Sequence, residues 1–267
     1  MDELVSVFGR HARIVDLSHP LDASASEPLP PVFEVQTHDD GAKLWEAMFG
    51  IPRTALPDGR GFAGEIVHRL STHASTHVDA PWHYAPTAGG APAAAIDEIP
   101  LSWCVGALLV VDVSDLPTGH LLGAAEVAER LAALTPELAP GAVVAFYTGA
   151  ERLWGEDTFW EAGCGLGREA VLALLALGVR TIGTDAWSLD RPYPLIGAQW
   201  AQGHDPAALW PAHFAGIEHP YLQIEKLANL MSVPPVGATI LAFPVKVTGG
   251  SGAWTRAVGL VPEPDHP

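Results

Sequence analysis

Cysteine is nearly missing from this chain. Among 267 residues only Cys104 and Cys164 occur. Two cysteines cannot build a disulfide framework, so a reducing compartment, and with it a cytoplasmic location, is the expectation. Basic side chains are scarce as well: Lys plus Arg number 14 against 31 for Asp plus Glu, a formal net charge of −17. Phosphate backbones and anionic lipid surfaces are bound through basic patches, so neither nucleic acid nor a membrane surface is expected as a partner. Long apolar runs are absent too. The stretches 105–111 and 171–177 fall far short of the ~20 residues that cross a bilayer. Residues 1–13 carry Asp2, Glu3 and His11 and do not read as a signal peptide.

Core material, by contrast, is plentiful: 48% of residues are hydrophobic and 17% charged, the profile of a folded globular chain. At ~150 residues per domain the length allows one or two domains, and the reading adopted is a single domain over 1–267. The run 105–113 (VGALLVVDV) reads as a strand covered on both faces. Residues 124–134 follow with helical spacing, Val127, Leu131 and Leu134 sharing a face. A second strand at 142–147, a helix at 168–177 ended by Gly178, and a third strand at 179–183 complete the alternation. The expected fold class is therefore α/β, with a mixed β-sheet built from βαβ units. Two C-terminal strands, 239–247 and 254–260, joined by the turn-rich 248–252, are expected to be antiparallel. The segments 27–60 and 189–220 break this rhythm with five prolines each and with Phe33, Trp45, Phe49, Tyr193, Trp200, Trp210 and Phe214. They are expected to be long loops over the site, the alternative being aromatic packing of irregular surface.

The chemically informative stretch is 71–84. Three of the chain's 12 histidines and an aspartate fall within its residues 73–83, as His73, His77, Asp79 and His83. On a helix His73 and His77 would share a face and Asp79 would not. On a strand His77 and Asp79 would share a face, but His73 would stand about four rises of ~3.3 Å away. Metal bonds of ~2.0–2.2 Å demand convergence, so the chain must bend between His73 and His77, as Ala74 and Ser75 permit. Pro81 excludes a helix interior around the site. A bent loop bearing His, His and Asp makes a metal half-site.

The segment resembles the H-x-G-T-H-x-D-x-P-x-H signature of the cyclase and kynurenine formamidase-like family of metal-dependent hydrolases, which includes isatin hydrolases. His73, Thr76, His77, Asp79, Pro81 and His83 all match, while the signature glycine is Ser75; a requirement for positive φ there would strain it. Further matches are Asp16-Leu17-Ser18-His19-Pro20, the strand and turn ending Thr184-Asp185-Ala186-Trp187, the pair His213 and Glu225, and Gly250-Ser251-Gly252 with Arg256. The resemblance implies an α/β fold and one or two divalent cations, with His73, His77 and Asp79 on one and Asp79 bridging to a second held by His213 and Glu225. Five N/O ligands without a nearby cysteine suit Zn²⁺ and also admit Mn²⁺.

Such an ion activates water and polarises a carbonyl, which suits hydrolysis of an amide, formamide, lactam or lactone in a small aromatic or cyclic substrate. His83, just past Pro81, is the candidate general acid and base, with a third metal-ligand role as its alternative. Asp185 either orients a ligand histidine or ends its strand. Rival readings are a ring-closing or ring-opening cyclase and a catalytically silent metal-binding protein of the same fold. A further rival is a zinc peptidase, but no H-E-x-x-H occurs anywhere in the chain. A homodimer or homotetramer is expected, because aromatic-rich segments on a chain of this size often pack against a partner and relatives commonly do so.

Overall fold

Successive residues of the strand expected at 105–113 enter different apolar layers. Leu108 and Val110 join one buried cluster, and Leu109 and Val111 the other. The strand is thus buried on both faces, each fully buried aliphatic contributing about 1.5–3 kcal/mol of transfer free energy. The computed structural model describes residues 3–7, 10–24, 26–134 and 137–263. Ten strands form its main sheet: β1 (Glu3–Val7), β2 (Arg10–Asp16), β3 (His77–Asp79), β4 (Val105–Asp112), β5 (Val143–Tyr147), β6 (Thr181–Thr184), β7 (Leu222–Glu225), β8 (Ala238–Leu241), β9 (Gly252–Trp254) and β10 (Val258–Pro262). Their order is β1-β2-β10-β8-β4-β5-β6-β7-β3-β9. The ladders from β4 through β5 and β6 to β7 are parallel, and all others are antiparallel. This is the mixed α/β sheet that the alternation predicts.

Among the described residues six α-helices accompany it: α1 (His38–Phe49), α2 (Pro81–Tyr84), α3 (Ala124–Leu134), α4 (Arg168–Ala176), α5 (Tyr193–Gly203) and α6 (Pro211–Ala215). Helices α3, α4 and α6 cover one face through Val127, Leu131, Val171, Leu174, Ala212 and Ala215. The other face is closed mostly by irregular segments carrying Leu17, Ile96, Ile99, Leu227 and Leu230. Gly178, at φ 91°, takes the left-handed conformation that ends α4.

Two expectations change. The strand at 239–247 stops at Leu241, and Pro244 just beyond it has no amide hydrogen to give a ladder. The strand at 254–260 is split, because its halves serve different partners: β9 pairs with β3, whereas β10 pairs with β8 and β2. The two segments expected to be loops also hold helix, α1 in the first and α5 and α6 in the second. Thr37 and Asp40 form a capping box at the start of α1, and Gly50 closes it at φ 66°. That first segment stands off the main sheet. Its strand Val32–Gln36 forms a hairpin with Gly64–Arg69, just past the segment; among the described residues that hairpin pairs with no other strand, and α1 buries only Gly41 and Ala42.

Candidate metal centre

Strand β3 lies between β7 and β9 in antiparallel ladders, with His77 opposite Glu225 and Trp254, and Asp79 opposite Gln223 and Gly252. The two-residue period of a strand turns His77 and Asp79 to one face, and register sets Glu225 beside His77 on that face. His73 reaches the group because the chain turns sharply at Ser75, whose φ is 54°. The left-handed conformation costs a residue with a side chain about 1–2 kcal/mol. Hydrogen bonds offset it: Ser75 Oγ donates toward the carbonyls of His19 and Pro20 at 2.9 and 3.0 Å, and its amide donates to Glu27 at 2.6 Å. Position 75 thus takes the glycine conformation with a serine.

All six histidines and carboxylates singled out in the sequence converge. His73 Nδ1 lies 2.6 Å from Asp79 Oδ1, and His77 Nε2 lies 3.2 Å from the same oxygen and 3.6 Å from Glu225 Oε2. His213 Nε2 stands 3.9 Å from both Asp79 Oδ2 and Glu225 Oε1. Ligand atoms held tetrahedrally at ~2.0–2.1 Å from an ion would be separated by ~3.3 Å, close to these spacings. Among the described residues, His73, Asp79 and His83, and likewise His77, Asp79 and Glu225, bring ligand atoms within 4.8 Å of one another. The two triads share Asp79, include His83 and leave out His213, unlike the grouping that the resemblance implies.

The fit of a cation can be judged from the buried polar atoms. Among the described residues, buried His77 Nε2 and Asp79 Oδ2 find no partner in hydrogen-bond geometry, although Nε2 lies 3.2 Å from Asp79 Oδ1. Asp79, His77 and Glu225 are 0%, 1% and 5% exposed. Leaving such atoms unpaired is costly, and two buried carboxylates facing imidazole nitrogens form the donor set a divalent ion satisfies. The electrostatics agree. Burial opposes the charge on Asp79, yet His77 and His73 hold its carboxyl well below the ordinary range. Burial and the neighbouring Asp79 push Glu225 up.

The supporting partners are also in place. His73 Nε2 lies 2.9 Å from Ser251 Oγ, and His77 Nδ1 lies 2.8 Å from the Ser75 carbonyl. His213 Nδ1 lies 2.6 Å from Asp190 Oδ2, which leaves Nε2 to face the carboxylates. Burial disfavours the His213 cation, but the bond and charge of Asp190 prevail and raise its pKa to about 9. Asp190 is a site residue that sequence reasoning missed. Asp185, by contrast, ends its strand: it accepts from the Thr148 amide and hydroxyl at 2.7 and 2.8 Å.

His83 occupies α2, where Pro81 starts a single turn. The residue is exposed, but its ring is hemmed in by His73, His213 and Tyr84, at centroid distances of 4.2, 5.3 and 6.0 Å. Desolvation lowers its pKa to about 4, and the neighbouring imidazoles add to that against the pull of Asp79. Beside it opens a cavity of about 230 Å³ lined by His83, Tyr84, Tyr193, Trp210, His213 and Phe214. The segment 189–220 therefore does wall a pocket next to the centre. Trp82 is 46% exposed, and Trp187 lies over Lys226, so neither belongs to that wall.

The Cyclase family profile matches residues 15–191. A kynurenine formamidase of Salinibacter ruber is 34% identical over 197 residues, covering 71% of this chain and 76% of that one. A kynurenine formamidase of Erythrobacter litoralis is 30% identical over 230 residues, covering 84% and 90%. A crystal structure of an isatin hydrolase bound to the product analogue thioisatinate superposes with a TM-score of 0.72 at 23% identity, covering 94% of this chain and 93% of that one. Among the described residues no helix is long and apolar enough to cross a membrane.

Proposed function

The chain belongs to the cyclase family, and on that premise we propose that it is a metal-dependent hydrolase cleaving an amide, formamide, lactam or lactone bond in a small aromatic or cyclic substrate. The observation that carries the reading is a pair of buried atoms that lack hydrogen bonds among the described residues, His77 Nε2 and Asp79 Oδ2, turned toward Glu225 and His213. His73, His77, Asp79, His213 and Glu225 would hold one or two divalent ions, Zn²⁺ first and Mn²⁺ second. When bound, such an ion polarises a substrate carbonyl and lowers the pKa of water from 15.7 toward ~7.

The chain's own groups do the rest. Asp190 and Ser251 fix the rings of His213 and His73. Tyr193, Trp210 and Phe214 give the cavity apolar walls that suit a flat ring and shed water. His83, at the cavity and beside the centre, takes the proton of the attacking water on its ring nitrogen and returns it to the departing nitrogen or oxygen. A general acid–base of this kind contributes about 10²–10⁴-fold. Support for hydrolysis of carbon–nitrogen bonds comes from the two formamidase relatives.

The test has two steps. Plasma emission spectroscopy on purified protein should find at least one divalent ion per chain. Hydrolysis of N-formyl aromatics, isatin-like lactams, small lactones and cyclic imides should then disappear on chelation and return with Zn²⁺ or Mn²⁺. A metal-free protein that cleaves none of them after metal addition would refute the reading.

A further inference from the structure

Two residues with side chains adopt left-handed backbone next to the metal-ligand candidates. Ser75, at φ 54°, stands two positions before His77, and Lys226, at φ 57°, directly follows Glu225. Lys226 is 1% exposed, although a lysine is among the side chains most rarely buried. Its ammonium donates to Glu27 Oε1 at 2.9 Å and to the carbonyl of His73 at 2.9 Å, and lies 3.5 Å from the ring centre of Trp187. The same oxygen of Glu27 accepts the Ser75 amide at 2.6 Å, and Glu27 is 7% exposed. A third tie closes the loop, since Thr76 Oγ1 donates to the Lys226 carbonyl at 2.5 Å. One carboxylate oxygen thus links the turn before His77 to the turn after Glu225.

Resting on the metal-centre reading above, we propose that Glu27 and Lys226 are positioning residues, a buried ion pair that clamps both ligand-bearing turns and sets the affinity of the centre for its cation. Neither lines the catalytic cavity. Burying two charges costs desolvation, and an apolar pair of equal volume is often as stable, so stability alone does not explain the pair. Nor does electrostatics. A buried ammonium beside Glu225 repels a divalent cation, so on charge alone removing it tightens metal binding. As a clamp it does the reverse, because its loss frees the His73 carbonyl and leaves Glu27 without its cation. The two accounts differ in sign.

The deciding measurement is the Kd for Zn²⁺ of the full-length apoprotein, by competition with a chromophoric chelator. Lys226→Met keeps an unbranched side chain up to the ε position and removes the charged nitrogen; it should bind Zn²⁺ about 10–100-fold more weakly, the usual effect of losing a group that orients ligands. Glu27→Asp keeps the charge and shortens the reach, and should weaken binding as well. The double variant Glu27→Gln/Lys226→Met should lose no more than the worse of its two single changes, as members of one unit do. Zinc affinity at or above the wild-type value in Lys226→Met overturns the proposal. So does a wild-type Kd in Glu27→Asp, which decides alone if Lys226→Met does not fold. A merely structural pair would lower Tm and leave the Kd of folded protein unchanged, which also overturns it. Wild-type protein that takes up no Zn²⁺ refutes the metal centre itself; wild-type uptake with unchanged variants refutes only the clamp.

Discussion

Asp190 grips His213 at two points: its Oδ2 lies 2.6 Å from the ring Nδ1 and 3.3 Å from the amide nitrogen of the same residue, while Oδ1 accepts the Ala212 amide at 2.7 Å. The carboxylate therefore fixes both the start of α6 and the tautomer of its histidine. Asp190→Asn keeps the shape and removes the charge, so Nδ1 is held less firmly and Nε2 is a poorer donor. Metal affinity should fall about 10–100-fold with the fold intact, as read by chelator competition alongside circular dichroism.

His83→Ala should keep the metal stoichiometry of the wild-type protein and lose about 10²–10⁴ in kcat, or roughly 3–5 kcal/mol of barrier. Metal content is the control that matters here, because His83 lies within ligand distance of His73 and Asp79. A variant that is purified without metal would make His83 a ligand, and one that keeps both metal and turnover would give proton transfer to another group.

Ser75 allows a test of strain against hydrogen bonding. Ser75→Gly relieves about 1–2 kcal/mol of left-handed strain and gives up a hydroxyl bond of about 0.5–1.5 kcal/mol, so stability should stay within about 1 kcal/mol of wild type. Ser75→Ala keeps the strain and loses the bond. It should lower Tm by about 2–4 °C per kcal/mol lost, read by thermal denaturation at fixed metal concentration. Equal Tm for the alanine and wild-type proteins would show that the hydroxyl does not offset the turn.

The outlying segment with α1 should be covered in solution by a second copy of the chain. Phe62, Phe49 and Met48 are 76%, 64% and 62% exposed, and an isolated two-stranded hairpin is marginally stable alone. Light scattering at micromolar concentration should give the mass of a dimer or tetramer. A monomer mass would refute this.

How much of this could be read from the chain depends on how close in sequence the cooperating residues lie. His73, His77, Asp79 and His83 sit in one short stretch, and strand geometry alone required the bend that Ser75 supplies. His213 and Glu225 emerged only through resemblance, since nothing in composition separates them from surface residues. Asp190 escaped because its partner is 23 residues away, and Glu27 because Lys226 is 199 residues away. The alternating sheet was legible for the same reason in reverse: strand and helix patterns are local, as in β4 and α3. The antiparallel pairing of the C-terminal strands was legible, as β8 against β10 shows, but their bounds were not, because β9 and β10 serve different neighbours, which hydrophobic patterning does not encode.

His213 and Phe214 are neighbours on α6, one turned to the carboxylates and the other to the cavity wall. A chain of this build cannot reshape that wall freely. An insertion or a bulkier residue around 205–216 that admits a new substrate also shifts an imidazole that faces Asp79 and Glu225. On the proposed function, substrate range and ion preference would be mechanically joined in one five-residue helix, and variants selected for one trait should drift in the other unless Asp190 holds the ring still.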